Sequence, residues 1–314
     1  MSELSSQPEY MRLLPPSALE KLARLELLAR GVVEGFISGH HKSPFKGFSV
    51  EFAEHRQYVP GDNIRDLDWR VYAKSDRYYV KQYIEETNLR GTILLDASGS
   101  MKYTGQHAAP FSDQPVSKFH YGQFLAASLA YLMIEQQDAV GLVTMDTEVR
   151  RYIPARSRTS HLRVILRELY DTAPGKETGL APIFHDIAER IHRRGLVIII
   201  SDLFGDLKEI LSALHHFRYR KHEVMVLHVL AEEELTFPFG KWTNFRDLEV
   251  RGHNLHLDPR SIRSEYLDRV REFVRRLEMG FGHKTENNLP MCTSQSFDLA
   301  LSNYVASRQE RVKR

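Results

Sequence analysis

Residues 91–101 read GTILLDASGSM, and no other segment constrains the fold of this chain as strongly. An apolar run, Ile93, Leu94 and Leu95, ends in Asp96, and hydroxyls follow at Ser98 and Ser100 with Gly99 between them. A buried strand that delivers a carboxylate at its C-terminal end belongs to an open α/β sheet, where ligands bind in the crevice beyond the strand ends. One carboxylate and two hydroxyls make an all-oxygen, weakly charged set that suits Mg²⁺ or Mn²⁺ and not zinc. The bland alternative is a serine-rich turn in which Asp96 merely caps the next helix.

The pattern downstream agrees with such a sheet. Apolar strands at 92–96, 140–145, 196–200 and 223–230 alternate with amphipathic helices at about 117–137, 160–171, 180–194 and 206–218. Gly195 follows the third helix as its C-cap, and the strand from Val140 continues into a hairpin ending near Ile153. Continuous apolar strands between helices predict a mostly parallel sheet covered on both faces. Residues 231–257 read as irregular, with one strand around Leu248 and Val250. Long and short helices follow at 259–278 and 297–307. Upstream, Ser17 and Glu20 form a capping box for a helix over 17–37. Alternation at Phe48, Val50 and Phe52, the Tyr58-Val59-Pro60-Gly61 strand and turn, and a strand over 78–83 make residues 40–90 a β-rich region. The predicted organisation is an N-terminal helix and β-rich subdomain over 1–87, an α/β domain over 88–235, and C-terminal helices over 236–314 that complete it.

Composition removes several functional classes. With 43 basic and 41 acidic residues the net charge is +2, so no global field favours nucleic acid. Arg150, Arg151, Arg156, Arg158, Arg163 and Arg167 form a local basic excess, read as a solvated face or a docking surface. The one cysteine, Cys292, excludes an internal disulfide and a cysteine metal cage. No apolar run reaches the roughly 18 residues of a membrane span, and MSELSSQPEY has no signal-peptide pattern. A cytoplasmic protein is expected.

Asp-x-Ser-x-Ser after an apolar strand resembles the metal-ion-dependent adhesion site of von Willebrand factor A domains. That resemblance implies a threonine from a second loop and a second acid at another strand end. Thr178 stands in Gly175-Lys176-Glu177-Thr178-Gly179 just before a helix, and Asp202 ends the run Leu196 to Ser201. The implied ligand set is therefore Asp96, Ser98, Ser100, Thr178 and Asp202, holding Mg²⁺ or Mn²⁺. Uncharged hydroxyls leave the cation electrophilic, and an open position then accepts a carboxylate from a partner. Haloacid-dehalogenase phosphotransferases also begin with a strand-terminal Asp, but they need a second Asp where this chain has Ser98.

A second signature lies upstream. The string from Gly39-His40 through Gly47, Glu51-Phe52, Arg56, Tyr58, Gly61-Asp62, Arg65 and Asp68-Trp69 to Ala73 closely resembles the bacterial family called domain of unknown function fifty-eight. The resemblance runs from the helix at 17–37 to about residue 307. It implies a von Willebrand A-like domain with a small β-rich addition, and association with AAA+ ATPases of the MoxR type in a chaperone-like or assembly role. One departure is GHKTENNLPMCT at 282–293, where the family carries a more apolar strand. Read from its residues alone, Pro60–Trp69 is a salt-bridged turn of Asp62, Arg65, Asp66 and Asp68 with Trp69 packed beneath it. Its minority reading is a partner-binding face, so Arg65, Trp69, Arg156 and Arg158 are the candidate partner contacts. The pairs His40-His41, His215-His216 and His253-x-x-His256 lack a spaced Cys or acid and read as ordinary histidines. The functional expectation is a non-enzymatic, divalent-cation-dependent protein-binding module acting with a MoxR-type ATPase and a client that offers an acidic side chain. A metal-dependent hydrolase using the same cation is the alternative, and an arginine-based nucleic-acid binder is the weaker third.

Overall fold

The computed structural model describes residues 13, 50–59, 67–85, 90–108, 115–135, 137–175, 179–240, 242–249, 252, 254–280 and 288–295. The helices expected at 17–37 and 297–307 lie outside them, as do Arg65 and Thr178. The chain divides into two compact units, a smaller one within Ile37–Asn88 and a larger one that holds the remaining described residues.

In the smaller unit, β1 (Val50–Gln57) and β2 (Tyr79–Glu85) pair antiparallel, with α1 (Trp69–Ser75) between them in sequence. Of the turn expected over 60–69 only residues 67–69 are described, and there the chain enters this helix. Asp68 is its N-cap, accepting from the backbone N–H of Arg70 at 2.9 Å and Val71 at 3.3 Å, the arrangement for which Asp is favoured at that position. Trp69 is consequently the first helical residue and is 57% exposed, not packed beneath a turn. Tyr72 instead stacks on Tyr78 with ring centroids 4.6 Å apart.

The larger unit is an α/β sandwich. Its strands are β3 (Arg90–Asp96), β6 (Ala139–Met145), β7 (Val149–Arg156), β8 (Leu196–Ser201), β9 (Glu223–Leu230) and β12 (Asn288–Cys292). They stand in the order β12-β9-β8-β3-β6-β7, and every pair is parallel except the β6–β7 hairpin. The period of two in each strand sends alternate side chains to opposite faces. Ile93 and Leu95 join one core with Leu142, Ile198, Ile200 and Leu227, whereas Leu94 joins the other with Val143, Val197, Ile199 and Val226. The first core is roofed by α2 (Lys118–Glu135) and α3 (Thr159–Asp171). The second is roofed by α4 (Leu180–Arg190) and α5 (Leu207–Tyr219), with Leu277 from α7 (Pro259–Gly280). The expected α/β class with helices on both faces is observed.

Two details differ from expectation. Gly195 is not a helix cap, because α4 ends at Arg190. It begins the approach to β8, where a Cβ would collide with the carbonyl of Arg90. Asn288–Cys292, which the sequence left unassigned, is the parallel edge strand β12. The described connections carry two short antiparallel pairs, β4 (Thr104–Ala108) with β5 (Pro115–Ser117) and β10 (Thr243–Arg246) with β11 (Asn254–Leu257). The short helix α6 (Glu232–Thr236) follows β9. Leu248, expected in a strand, lies in the turn between β10 and β11 and is 40% exposed.

Candidate functional site

Parallel pairing of β3 with β8 brings Leu95 opposite Ile200, so the next residues along each strand, Asp96 and Ser201, meet at the sheet's C-terminal edge. There Ser201 Oγ donates to Asp96 Oδ2 at 2.6 Å, and the Ser98 N–H donates to Asp96 Oδ1 at 2.8 Å. Ser98 Oγ and Ser100 Oγ lie 3.1 Å apart, Ser100 opening a 3₁₀ turn over Ser100–Lys102. Asp202 follows Ser201, and its Oδ1 accepts from the Phe204 N–H at 3.2 Å. The chain between them turns sharply at Leu203, whose φ of 52° lies in the left-handed region. The hydroxyl of Ser201 also accepts from the Leu203 N–H at 2.9 Å, which ties this turn to the carboxylate of Asp96.

The crest that these residues form at the edge of the sheet is largely buried. Asp96, Ser98 and Asp202 are fully buried and Ser100 is half-buried. Polar groups that the sequence did not single out, Lys118, Glu234 and His228, adjoin Asp202 and one another. Lys118 is the first residue of α2, and its backbone N–H donates to the Tyr103 carbonyl at 2.9 Å. Its Nζ donates to Asp202 Oδ2 and to Glu234 Oε1, each at 2.7 Å. The rings of Phe204 and Tyr103 lie 5.0 and 5.9 Å from the same nitrogen. His228, paired with Ser201 across β8–β9, donates from Nε2 to the Asp202 carbonyl at 3.0 Å.

Burial dominates the electrostatics. Loss of solvation, reinforced by the negative charge of Asp202, pushes the Asp96 carboxyl up to about 7, although Ser201 and Ser98 partly offset this with hydrogen bonds. Burial drives His228 down to about 4, so the ring is neutral near pH 7 and carries its proton on Nε2. Burial alone would also lower Lys118, but Asp202 and Glu234 outweigh it and hold the ammonium above its usual range. Lys118 is therefore a buried, charged group beside Asp202.

The structure joins Asp96, Ser98 and Ser100 in one hydrogen-bonded group and sets Asp202 beside it. Thr178 lies outside the described residues, and the segment before it is described as far as Gly175. The Gly175 N–H donates to the carbonyl of Ala97, next to Asp96, at 2.5 Å. Arg156 and Arg158 are exposed, and Arg156 pairs with Val140 at the end of β6 remote from Asp96. Arg150 and Arg151 lie at the near end, and Arg150 donates to Asp146 Oδ2 at 2.7 Å and to the Ala173 carbonyl at 2.5 Å. Among the described residues no group of three or more His, Cys, Asp or Glu converges as metal ligands, so any cation here must rely on hydroxyls as well. His216 meets His185 with Nδ1 atoms 2.9 Å apart and Glu189 at 3.0 Å, a contact between α4 and α5 rather than a metal cage.

Residues 54–275 match the family described as Protein of unknown function DUF58. The chain belongs to the DUF58 family. The matched span of this DUF58 protein contains the whole crest, from Asp96 to Glu234, while β12 lies beyond it. Similar curated relatives are the uncharacterized protein Rv1480 of Mycobacterium tuberculosis and the uncharacterized protein Mb1516 of Mycobacterium bovis. Each is 27% identical over 226 residues, covering 71% of this chain and 68% of the relative. Among solved structures, the conserved hypothetical protein BatB of Bacteroides thetaiotaomicron is similar at a TM-score of 0.45 and 14% identity, over 71% of this chain and 99% of that one. An aerotolerance-related membrane protein from Bacteroides fragilis is similar at a TM-score of 0.43 and 16% identity, over 70% of this chain and 99% of that one. Both likenesses are loose. No described helix of the DUF58 chain is long and apolar enough to cross a membrane.

Proposed function

We propose that this protein is a non-enzymatic, divalent-cation-dependent binding module of the von Willebrand A type. In this reading Asp96, Ser98, Ser100, Thr178 and Asp202 hold Mg²⁺ or Mn²⁺. The observation that carries the reading is that two carboxylates at adjacent strand ends, Asp96 and Asp202, are both buried and act on each other electrostatically, with the hydroxyls of Ser98 and Ser100 3.1 Å apart on the turn after Asp96. A carboxylate pushed up to about 7 by burial and by a like charge is stabilised by any cation brought beside it. Neutral hydroxyl oxygens complete a hard donor set without adding further negative charge, so the residues fit an oxygen-seeking divalent ion.

When bound, such an ion supplies an electrophilic coordination position for a carboxylate. The chain's own residues do the rest. The Ser98 N–H and Ser201 Oγ fix the carboxylate plane of Asp96, and the Phe204 N–H fixes Asp202. Burial limits competition from water, which strengthens a charge-assisted contact with a partner. The proposed partner is an AAA+ ATPase of the MoxR type, and the client offers an acidic side chain. A cytoplasmic setting belongs to the same reading.

His228, whose imidazole is bonded to the Asp202 carbonyl, is fully buried, which suits it poorly as a general base. Metal-dependent turnover of a phosphoester is therefore not expected. The direct test is a calorimetric titration with Mn²⁺ of wild type and Asp96→Ala. Binding by wild type and its loss in the variant is the expected result; equal binding by both proteins overturns the site assignment.

A further inference from the structure

We infer that Lys118 is a built-in counter-ion that competes with the divalent cation for Asp202, and that Glu234 tunes this competition by sharing the ammonium. The inference rests on the cation reading above and adds residues which that reading does not contain.

Lys118 is 1% exposed, yet it is not an ion pair of the ordinary kind. Its ammonium spans two carboxylates from different elements, Asp202 after β8 and Glu234 in α6, at 2.7 Å each. The backbone at Lys118 is pinned by its bond to the Tyr103 carbonyl, and the Phe204 and Tyr103 rings flank the head group. Glu234 is equally fixed, because its Oε2 accepts from the Ala231 N–H at 2.7 Å. A long flexible side chain has thus been given one location, with its charge against the second acid of the proposed cation site.

Physical consequences follow in opposite directions. A fixed positive charge beside Asp202 repels an arriving divalent ion and occupies an oxygen that the ion could use directly or through water. Removing that charge strengthens cation binding. Glu234 offsets part of the ammonium's field, so neutralising Glu234 leaves more positive charge facing Asp202 and weakens cation binding. A side chain that served only to hold the fold together would weaken binding in both variants. Asp202 retains an orienting bond from the Phe204 N–H whichever change is made.

The experiment is a Mn²⁺ titration of the full chain, read by electron paramagnetic resonance of the free ion and by calorimetry. Wild type, Lys118→Met and Glu234→Gln are compared. The inference predicts at least about tenfold tighter Mn²⁺ binding for Lys118→Met and several-fold weaker binding for Glu234→Gln. If wild type binds Mn²⁺ and Lys118→Met binds no more tightly, the inference is overturned while the cation reading stands. If neither protein binds, both fall. If Lys118→Met does not fold, Lys118→Gln is titrated in its place: tighter Mn²⁺ binding supports the inference, and unchanged or weaker binding overturns it.

Discussion

Asp96 shows how one side chain carries both the stability and the chemistry of the crest. Burial and Asp202 raise its carboxyl to about 7, so in the folded state it keeps a proton that the unfolded chain releases near pH 4. Between those limits the unfolded chain binds fewer protons, and stability without metal falls as pH rises from about 4 to about 7. In EDTA, urea unfolding is therefore expected to give a higher midpoint at pH 5 than at pH 8 from this group, and Asp96→Asn should flatten that difference. A slope unchanged in the variant would assign the pH dependence to another group. Asp96, Ser98 and Ser100 were readable because they are adjacent in the sequence and follow an apolar run. Ser201, Lys118, His228 and Glu234 were not. Lys118 reaches Asp202 across 84 positions and Glu234 across 116, and only the assembled sheet brings them together. The available signal was weak: a lone lysine heading an otherwise apolar helix, a hydroxyl just before the strand-end acid, and a histidine inside the apolar strand β9.

At the scale of elements, the legible parts were those whose burial writes a period into the sequence. β3, β8 and β9 are continuous apolar runs because both faces of the sheet are covered, and their extents match expectation closely. α1, β10, β11 and β12 were missed because they are short and only partly buried, so their patterns carry little periodicity. The N-cap role of Asp68 was not read because an acid suits a helix N-cap and a polar turn alike. Close backbone approach is also invisible until strands are paired. Gly141 sits where β6 and β7 slip register, and a Cβ there would lie 2.7 Å from the Ile153 carbonyl oxygen and 2.9 Å from the Ala155 nitrogen. Backbone cannot rotate away as a side chain can, so Gly141→Ala is expected to cost about 1–3 kcal/mol. Gly240→Ala, where a Cβ meets nothing within 4 Å, is the matched control and should change stability by less than about 0.5 kcal/mol. Chemical denaturation of the pair checks both; equal effects would show that β7 yields without strain.

For the molecule as a whole, the proposed function requires that metal and partner be coupled at one edge of the sheet. A partner carboxylate coordinated in a partly dry interface belongs to the class of contacts worth at least ~2 kcal/mol. Affinity for a MoxR-type ATPase should then fall with EDTA, and Thr178→Ala should weaken it by roughly tenfold or more, since tenfold is about 1.4 kcal/mol. The arginines allow the location to be tested separately. Arg156 pairs with Val140 at the far end of β6, and Arg158 follows it on the same exposed segment, so neither borders the crest. Charge reversal at both should leave the EDTA-sensitive part of binding unchanged, in contrast to the change in on-rate expected of rim charges. Surface plasmon resonance with Mg²⁺ or EDTA, on wild type, Thr178→Ala and Arg156→Glu/Arg158→Glu, separates these outcomes. If Thr178→Ala and EDTA have no effect, the partner docks away from the crest. The exposed Trp69 of the smaller unit, stacked edge-on against Tyr72, is then the surface to mutate next. If the arginine reversal alone abolishes binding, recognition runs through the basic edge of β7, and the strand-end acids serve something other than docking.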